Sequence, residues 1–118
     1  MIFVLNLLDV KKGCEADYAL YLRRVQSVLD RHGASVVMYG KTRQVYMGLA
    51  QQEYCGIVCY PNTRALRNFS NDPEFLEIRP LRDDSTDNYF LTVIEGFPAL
   101  SDAIDHLEAI SHKTKQGQ

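Results

Sequence analysis

Seven residues near the start of the chain, Ile2-Phe3-Val4-Leu5-Asn6-Leu7-Leu8, are apolar on both parities of a strand. Successive strand side chains point to opposite faces, so Ile2, Val4 and Leu8 face one way and Phe3, Leu5 and Leu7 the other. A sheet with one solvated face alternates apolar and polar residues, and this pattern does not. Near the other end Leu91 and Val93 alternate with the equally apolar Phe90 and Ile94. The sheet these strands build must be covered on both faces.

Helical spacing follows the first strand. Tyr18, Leu22, Val25, Leu29 and His32 recur every three or four residues, which predicts a helix from Cys14 to His32. Glu15 and Asp17 begin it and Arg31 ends it, matching the helix dipole, and Gly33 supplies a left-handed stop. Ser35 to Tyr39 is β-rich and closed by Gly40; Gln44 to Ala50 reads as a second short strand after a turn at Lys41 and Thr42. Tyr54 to Tyr60 is a strand stopped by Pro61, and Asn62 is placed to cap a helix from Thr63 to Phe69. Asp72-Pro73-Glu74 is a stronger helix start, for a segment carrying Phe75, Ile78 and Leu81 that Pro80 is expected to kink or restart. Asn88 to Glu95 is the last strand, closed by Gly96 and Pro98.

The order is β-α-β-β-α-β, which predicts the α+β ferredoxin-like fold, an antiparallel sheet with two helices on one face. Residues 1–97 form that domain. Leu100, Ala103, Ile104, Leu107 and Ile110 mark an amphipathic helix over 98–112, packed on the domain or on a partner, and 113–118 reads as a disordered tail. Two helices cover only one sheet face. Either that last helix folds back over the other face or a second copy of the sheet does, and a homodimer is the simpler expectation.

A net charge of −2 provides no field to draw the chain to nucleic acid or an anionic membrane. The opening apolar run is too short to span a bilayer and lacks signal-peptide features, so a cytoplasmic protein is expected. Of the three cysteines, Cys55 and Cys59 are four residues apart on a strand, roughly 13 Å, too far for a disulfide or a shared zinc ion. No metal site and no cofactor motif is legible. The element order is shared with RNA-recognition domains, but Glu53, Cys55 and Ile57 stand where such domains need a basic residue and stacking rings.

Arg31-His32-Gly33-Ala34-Ser35 leading to Gly40, and Phe69-Ser70-Asn71-Asp72-Pro73-Glu74-Phe75 running on to Ile78-Arg79-Pro80-Leu81-Arg82, resemble a bacterial family known as domain of unknown function thirteen-thirty. Phe90 to Gly96 fits its last strand, and Tyr21 falls where the family tends to carry an aromatic. The resemblance spans residues 2 to 97 and implies the dimeric α+β barrel superfamily, in which two sheets pack face to face. That superfamily includes cofactor-independent monooxygenases, lactone isomerases, haem-handling enzymes and stress-related proteins. The helix past residue 98 and an acidic loop from Asp83 to Asp87 depart from the family core.

Arg82 lies four residues after Ile78 and seven after Phe75, on the apolar face if the helix continues through Pro80. An inward arginine needs an anionic partner, either a ligand carboxylate or enolate, or one of Asp83, Asp84 and Glu95. His32 also sits on the apolar stripe, where it would serve as a catalytic base or simply cap carbonyls. Asn6, Tyr60, Arg79 and Tyr89 are candidate ligand-binding residues, polar groups among apolar strands and helices that must find a partner. Two functions remain open. One is a cofactor-independent monooxygenase- or isomerase-like enzyme acting on a small hydrophobic organic acid or carbonyl compound. The other is a non-catalytic dimeric small-molecule-binding or stress-related protein.

Overall fold

The computed structural model describes residues 1–49 and 52–116. The chain runs β1 (Ile2–Val10), α1 (Glu15–Arg31), β2 (Ser35–Lys41), β3 (Tyr54–Tyr60), α2 (Thr63–Ser70), α3 (Pro73–Ser85), β4 (Thr86–Glu95) and α4 (Leu100–Gln116). The strands form one antiparallel sheet in the order β2-β3-β1-β4, with α1 and α3 packed against each other. This is the ferredoxin-like α+β fold.

Register explains the doubly apolar strands. Val4 lies opposite Val58 on one side and Val93 on the other, and Leu8 lies opposite Tyr54. The side of the sheet bearing Val4 and Leu8 packs on the helices, where Leu8, Val28 and Ile78 are fully buried. The opposite parity, Phe3, Leu5, Leu7, Ile57, Phe90 and Ile94, forms a second apolar surface with no helix over it. Phe90 is 61% exposed.

Local signals set most element ends. Asn62 caps α2 by accepting from the Ala65 amide at 2.9 Å, and Asp72 caps α3 by accepting from the Glu74 amide at 2.9 Å. Gly33 has φ +69°, which turns the chain so that the Ala34 amide donates back to the Leu29 carbonyl.

Several expectations are corrected. Residues 42–49 form no strand; Gly40 and Lys41 pair directly with Cys55 and Tyr54, and the described residues 42–49, 52 and 53 lie outside the ladder. Ala50 lies outside the described residues. Pro80 does not end its helix, which continues to Ser85. No acidic loop follows, because Asp83 and Asp84 close α3 and Asp87 is already in β4. The expected disordered tail is helical as far as Gln116, and residues 117 and 118 lie outside the described residues.

Candidate functional site

Between the helix-side face of the sheet and α1, α2 and α3 lies a cavity of about 480 Å³. A fully packed core would have no such space. Leu22, Val25, Leu29, Val58, Phe69 and Phe75 form much of its apolar wall, and half-exposed Val36 and Leu91 also line it. Five of the chain's seven tyrosines line it as well: Tyr18, Tyr21, Tyr39, Tyr60 and Tyr89. That concentration marks the cavity as chemically distinct from an ordinary apolar gap.

Arg82 enters it from the last turn of α3. Its side chain is 15% exposed, and its guanidinium carbon lies 5.0 Å from the Tyr89 ring centroid, 5.6 Å from Phe75 and 6.0 Å from Tyr21. Nε donates to Asp83 at 3.1 Å. Asp83 also accepts from Arg79 Nε at 3.0 Å, so one half-exposed carboxylate serves two arginines. Burial opposes the Arg82 charge, but Tyr21, Tyr89 and Asp83 more than offset it and hold its pKa above the ordinary value. Arg79, half exposed on the same helix, also lines the cavity.

Asn6 and Tyr89 are joined, and the direction of their hydrogen bond is fixed. Asn6 Nδ2 donates to the carbonyls of Val4 at 3.3 Å and Gly56 at 3.4 Å. Carbonyls only accept, so the amide oxygen must face the other way, where it accepts from the Tyr89 hydroxyl at 2.8 Å. Tyr89 has therefore committed its proton to Asn6 and presents only lone pairs to its surroundings. Across the cavity the hydroxyls of Tyr18 and Tyr39 are hydrogen-bonded to each other. Gly56 makes that contact possible, since a Cβ there would stand 2.8 Å from the Tyr39 ring.

Tyr60 differs from both pairs. Its residue is 3% exposed, yet its hydroxyl makes no hydrogen bond among the described residues. No fully buried side-chain polar atom there lacks a partner, so that hydroxyl is reached through the cavity. Burial raises the pKa of all five cavity tyrosines above the usual phenol value, Tyr21 and Tyr89 despite the opposing Arg82 charge. At neutral pH each keeps its proton.

Of the six residues singled out from sequence, Arg82, Asn6, Tyr60, Arg79 and Tyr89 all line this cavity. His32 does not. Its Nε2 pairs with Asp72 Oδ2 at 2.8 Å, and Arg31 donates to the same oxygen at 2.9 Å and to Glu74 at 2.6 Å. Those pairs hold the end of α1 to the start of α3, and they keep the Asp72 carboxyl well below the usual range, the His32 contact most of all. Catalysis by His32 has no geometric support. Sequence reasoning missed Tyr18, Tyr21 and Tyr39 as site residues. Tyr18 and Tyr21 are three apart on the buried face of α1, which reads as core, and the Tyr18–Tyr39 pair spans 21 positions. No local pattern connects them.

Among the described residues no cluster of histidine, cysteine and acidic side chains could hold a metal ion, and no helix is long and apolar enough to cross a membrane. The profile of the family "Domain of unknown function (DUF1330)" matches residues 3–97. No curated protein matches the chain by sequence. Among solved structures, a protein of unknown function from Rhodopseudomonas palustris aligns with a TM-score of 0.74 at 22% identity, covering 83% of each chain. A dimeric ferredoxin-like protein of unknown function from Jannaschia sp. CCS1 aligns with a TM-score of 0.67 at 12% identity, over 80% of this chain and 98% of that one. The cofactor-independent oxygenase SnoaB from Streptomyces nogalater aligns with a TM-score of 0.62 at 16% identity, over 84% and 95%.

Proposed function

The chain belongs to the DUF1330 family, and we propose that it is a homodimer whose cavity binds a small apolar organic compound bearing a carboxylate, enolate or phenolate oxygen. The carrying observation is the inventory of free polar groups. Tyr89 has spent its proton on Asn6, while Tyr60 has a proton to donate. Arg82 has its Nε on Asp83 and its charge also engages Tyr21 and Tyr89, so it brings a fixed positive charge to the cavity wall. Neither Asp, Glu nor His is among the cavity-lining residues. A site that offers donors and a fixed positive charge within apolar walls favours an acceptor oxygen that is itself negative.

The same arrangement suits a cofactor-independent monooxygenase- or isomerase-like enzyme, and SnoaB, of similar fold, is named as a cofactor-independent oxygenase. Arg82 would stabilise a substrate enolate as it forms, and Tyr60 would donate to its oxygen. The non-catalytic reading draws on a specific observation too. The cavity lacks an imidazole or carboxylate base, so turnover would require a substrate acidic enough to ionise beside Arg82. The two-copy reading is supported by the bare apolar sheet face and by the dimeric neighbour.

Calorimetric titration with benzoate, 4-hydroxybenzoate and acetylacetone, against the neutral isostere benzamide, tests the site. The anions are expected to bind at least tenfold more tightly than benzamide, and Arg82→Met to remove that preference. Equal affinity for benzoate and benzamide, or unchanged preference in Arg82→Met, would overturn the reading. Oxygen uptake or isomer formation from a bound enolisable compound, without added cofactor, separates enzyme from binder.

A further inference from the structure

α4 stands away from the domain. Leu100, Ile104, Leu107 and Ile110 fall at helical spacing and are 83%, 52%, 63% and 49% exposed. The ring of His106 lies 5.3 Å from Phe97 at the base of the arm, but α4 packs extensively on no strand or helix among the described residues. The shape follows. The chain is 55 Å long with a radius of gyration of 17.4 Å, whereas a compact domain of this length has roughly 13–14 Å. A lone helix of about this length is marginal in water, and most helical stability comes from burying an apolar face. This stripe needs a cover that its own domain does not provide.

We propose that α4 is a reciprocal arm that packs on a second copy of this chain. The proposal rests on the homodimer reading above and goes beyond it, because the family match ends at residue 97 and the arm lies outside the shared domain. Continuity carries the argument. β4 is a sheet edge, and its bare-face residues Phe90 and Ile94 lead through half-exposed Phe97 straight into the α4 stripe. The uncovered sheet face and the uncovered helix therefore follow one another in the chain with only residues 96–99 between them, and exposed Phe97 sits in that link. A copy seated on the sheet face by a two-fold axis meets the base of this arm and presents its own arm in return. A membrane suits the helix poorly. Asp102, Asp105 and Glu108 make the face away from the stripe acidic, where a surface-seeking helix carries lysine and arginine.

Sedimentation velocity over a dilution series, with hydrogen exchange on the same samples, tests this on the full chain. The wild type is expected to be a dimer in which α4 amides are protected and lose protection on dilution. Leu107→Asp should raise the dimer dissociation constant at least tenfold, and the milder Leu107→Ala should raise it less, with Ala109→Glu, on the opposite side of the helix from the stripe, as a control near wild type. A wild-type monomer at every concentration sinks the homodimer reading, and the arm with it. A dimer whose dissociation constant moves less than twofold in Leu107→Asp overturns the arm alone. Two further results also overturn it: α4 amides protected in the diluted monomer, which would place the cover within one chain, and α4 amides unprotected in the dimer, which would leave the stripe to a different partner.

Discussion

The two faces of the same sheet meet opposite fates. On the helix side nearly every polar group is spoken for: Asn6 holds Tyr89, Tyr18 holds Tyr39, Asp83 holds Arg79 and Arg82. What remains there, the Tyr60 hydroxyl, faces a defined space that the Arg82 charge also borders. On the other side Phe90, Ile94 and the α4 stripe are as apolar as the core and have nothing over them. One face is covered by the chain's own helices over most of its length, with Val36, Leu91 and Val93 half-exposed at its margins; the other has no helix over it. Identical strands serve both, because a strand delivers alternate residues to different environments.

The sharpest test compares adjacent residues. Leu8→Ala, at a fully buried position on the helix side, should cost about 2–5 kcal/mol in urea unfolding at any protein concentration. Leu7→Ala, on the bare face, should cost much less in dilute protein and appreciably more in concentrated protein. Equal losses at both concentrations would break the contrast. Next in size, Tyr89→Phe removes the donor to Asn6 and should cost on the order of 1–2 kcal/mol, with no effect on dimer dissociation.

Acid and base probe the helix side further. Asp72 has a depressed pKa when folded, so its contribution is intact above the ordinary carboxylate range and is lost as the pH falls through the lower folded value. Asp72→Asn should therefore weaken the protein near neutrality and flatten its acid-unfolding curve. The cavity tyrosines have raised values, so their contribution is full below about pH 10, the unfolded value, and is lost as the pH climbs toward their folded values. Alkaline unfolding should start near pH 10, earlier than in a variant carrying Tyr60→Phe. The smallest effect is expected at Arg79→Ala, whose exposed pair with Asp83 contributes about 0.5 kcal/mol or less to stability.

Local chemistry made much of this legible in advance. The Asp72-Pro73 start, the Gly33 stop and the double parity of β1 each depend on a few adjacent residues, and each appears in the fold. Arg82 could be placed inward because Ile78 and Phe75 define its helix face. Pairings between distant segments were out of reach. Nothing near His32 announces Asp72, 40 residues on, and nothing near Gly56 announces that its missing side chain makes room for the Tyr39 ring. Gln44 to Ala50 has strand-like composition, yet β2 and β3 already satisfy each other's ladder without it. Composition shows what a segment tolerates, and pairing shows what it becomes.

At Gly96, where β4 ends, a Cβ would stand 2.5 Å from the ring of Phe3. Phe3 belongs to the bare face, so the smallest possible residue at the exit of the sheet is also what lets that ring lie flat across the edge strand. Any larger residue must displace the ring, roughening the surface a second subunit would meet. The smoothness of this face is thus governed from the neighbouring strand by a residue with no side chain, and bulk added at the exit of β4 would be felt on β1.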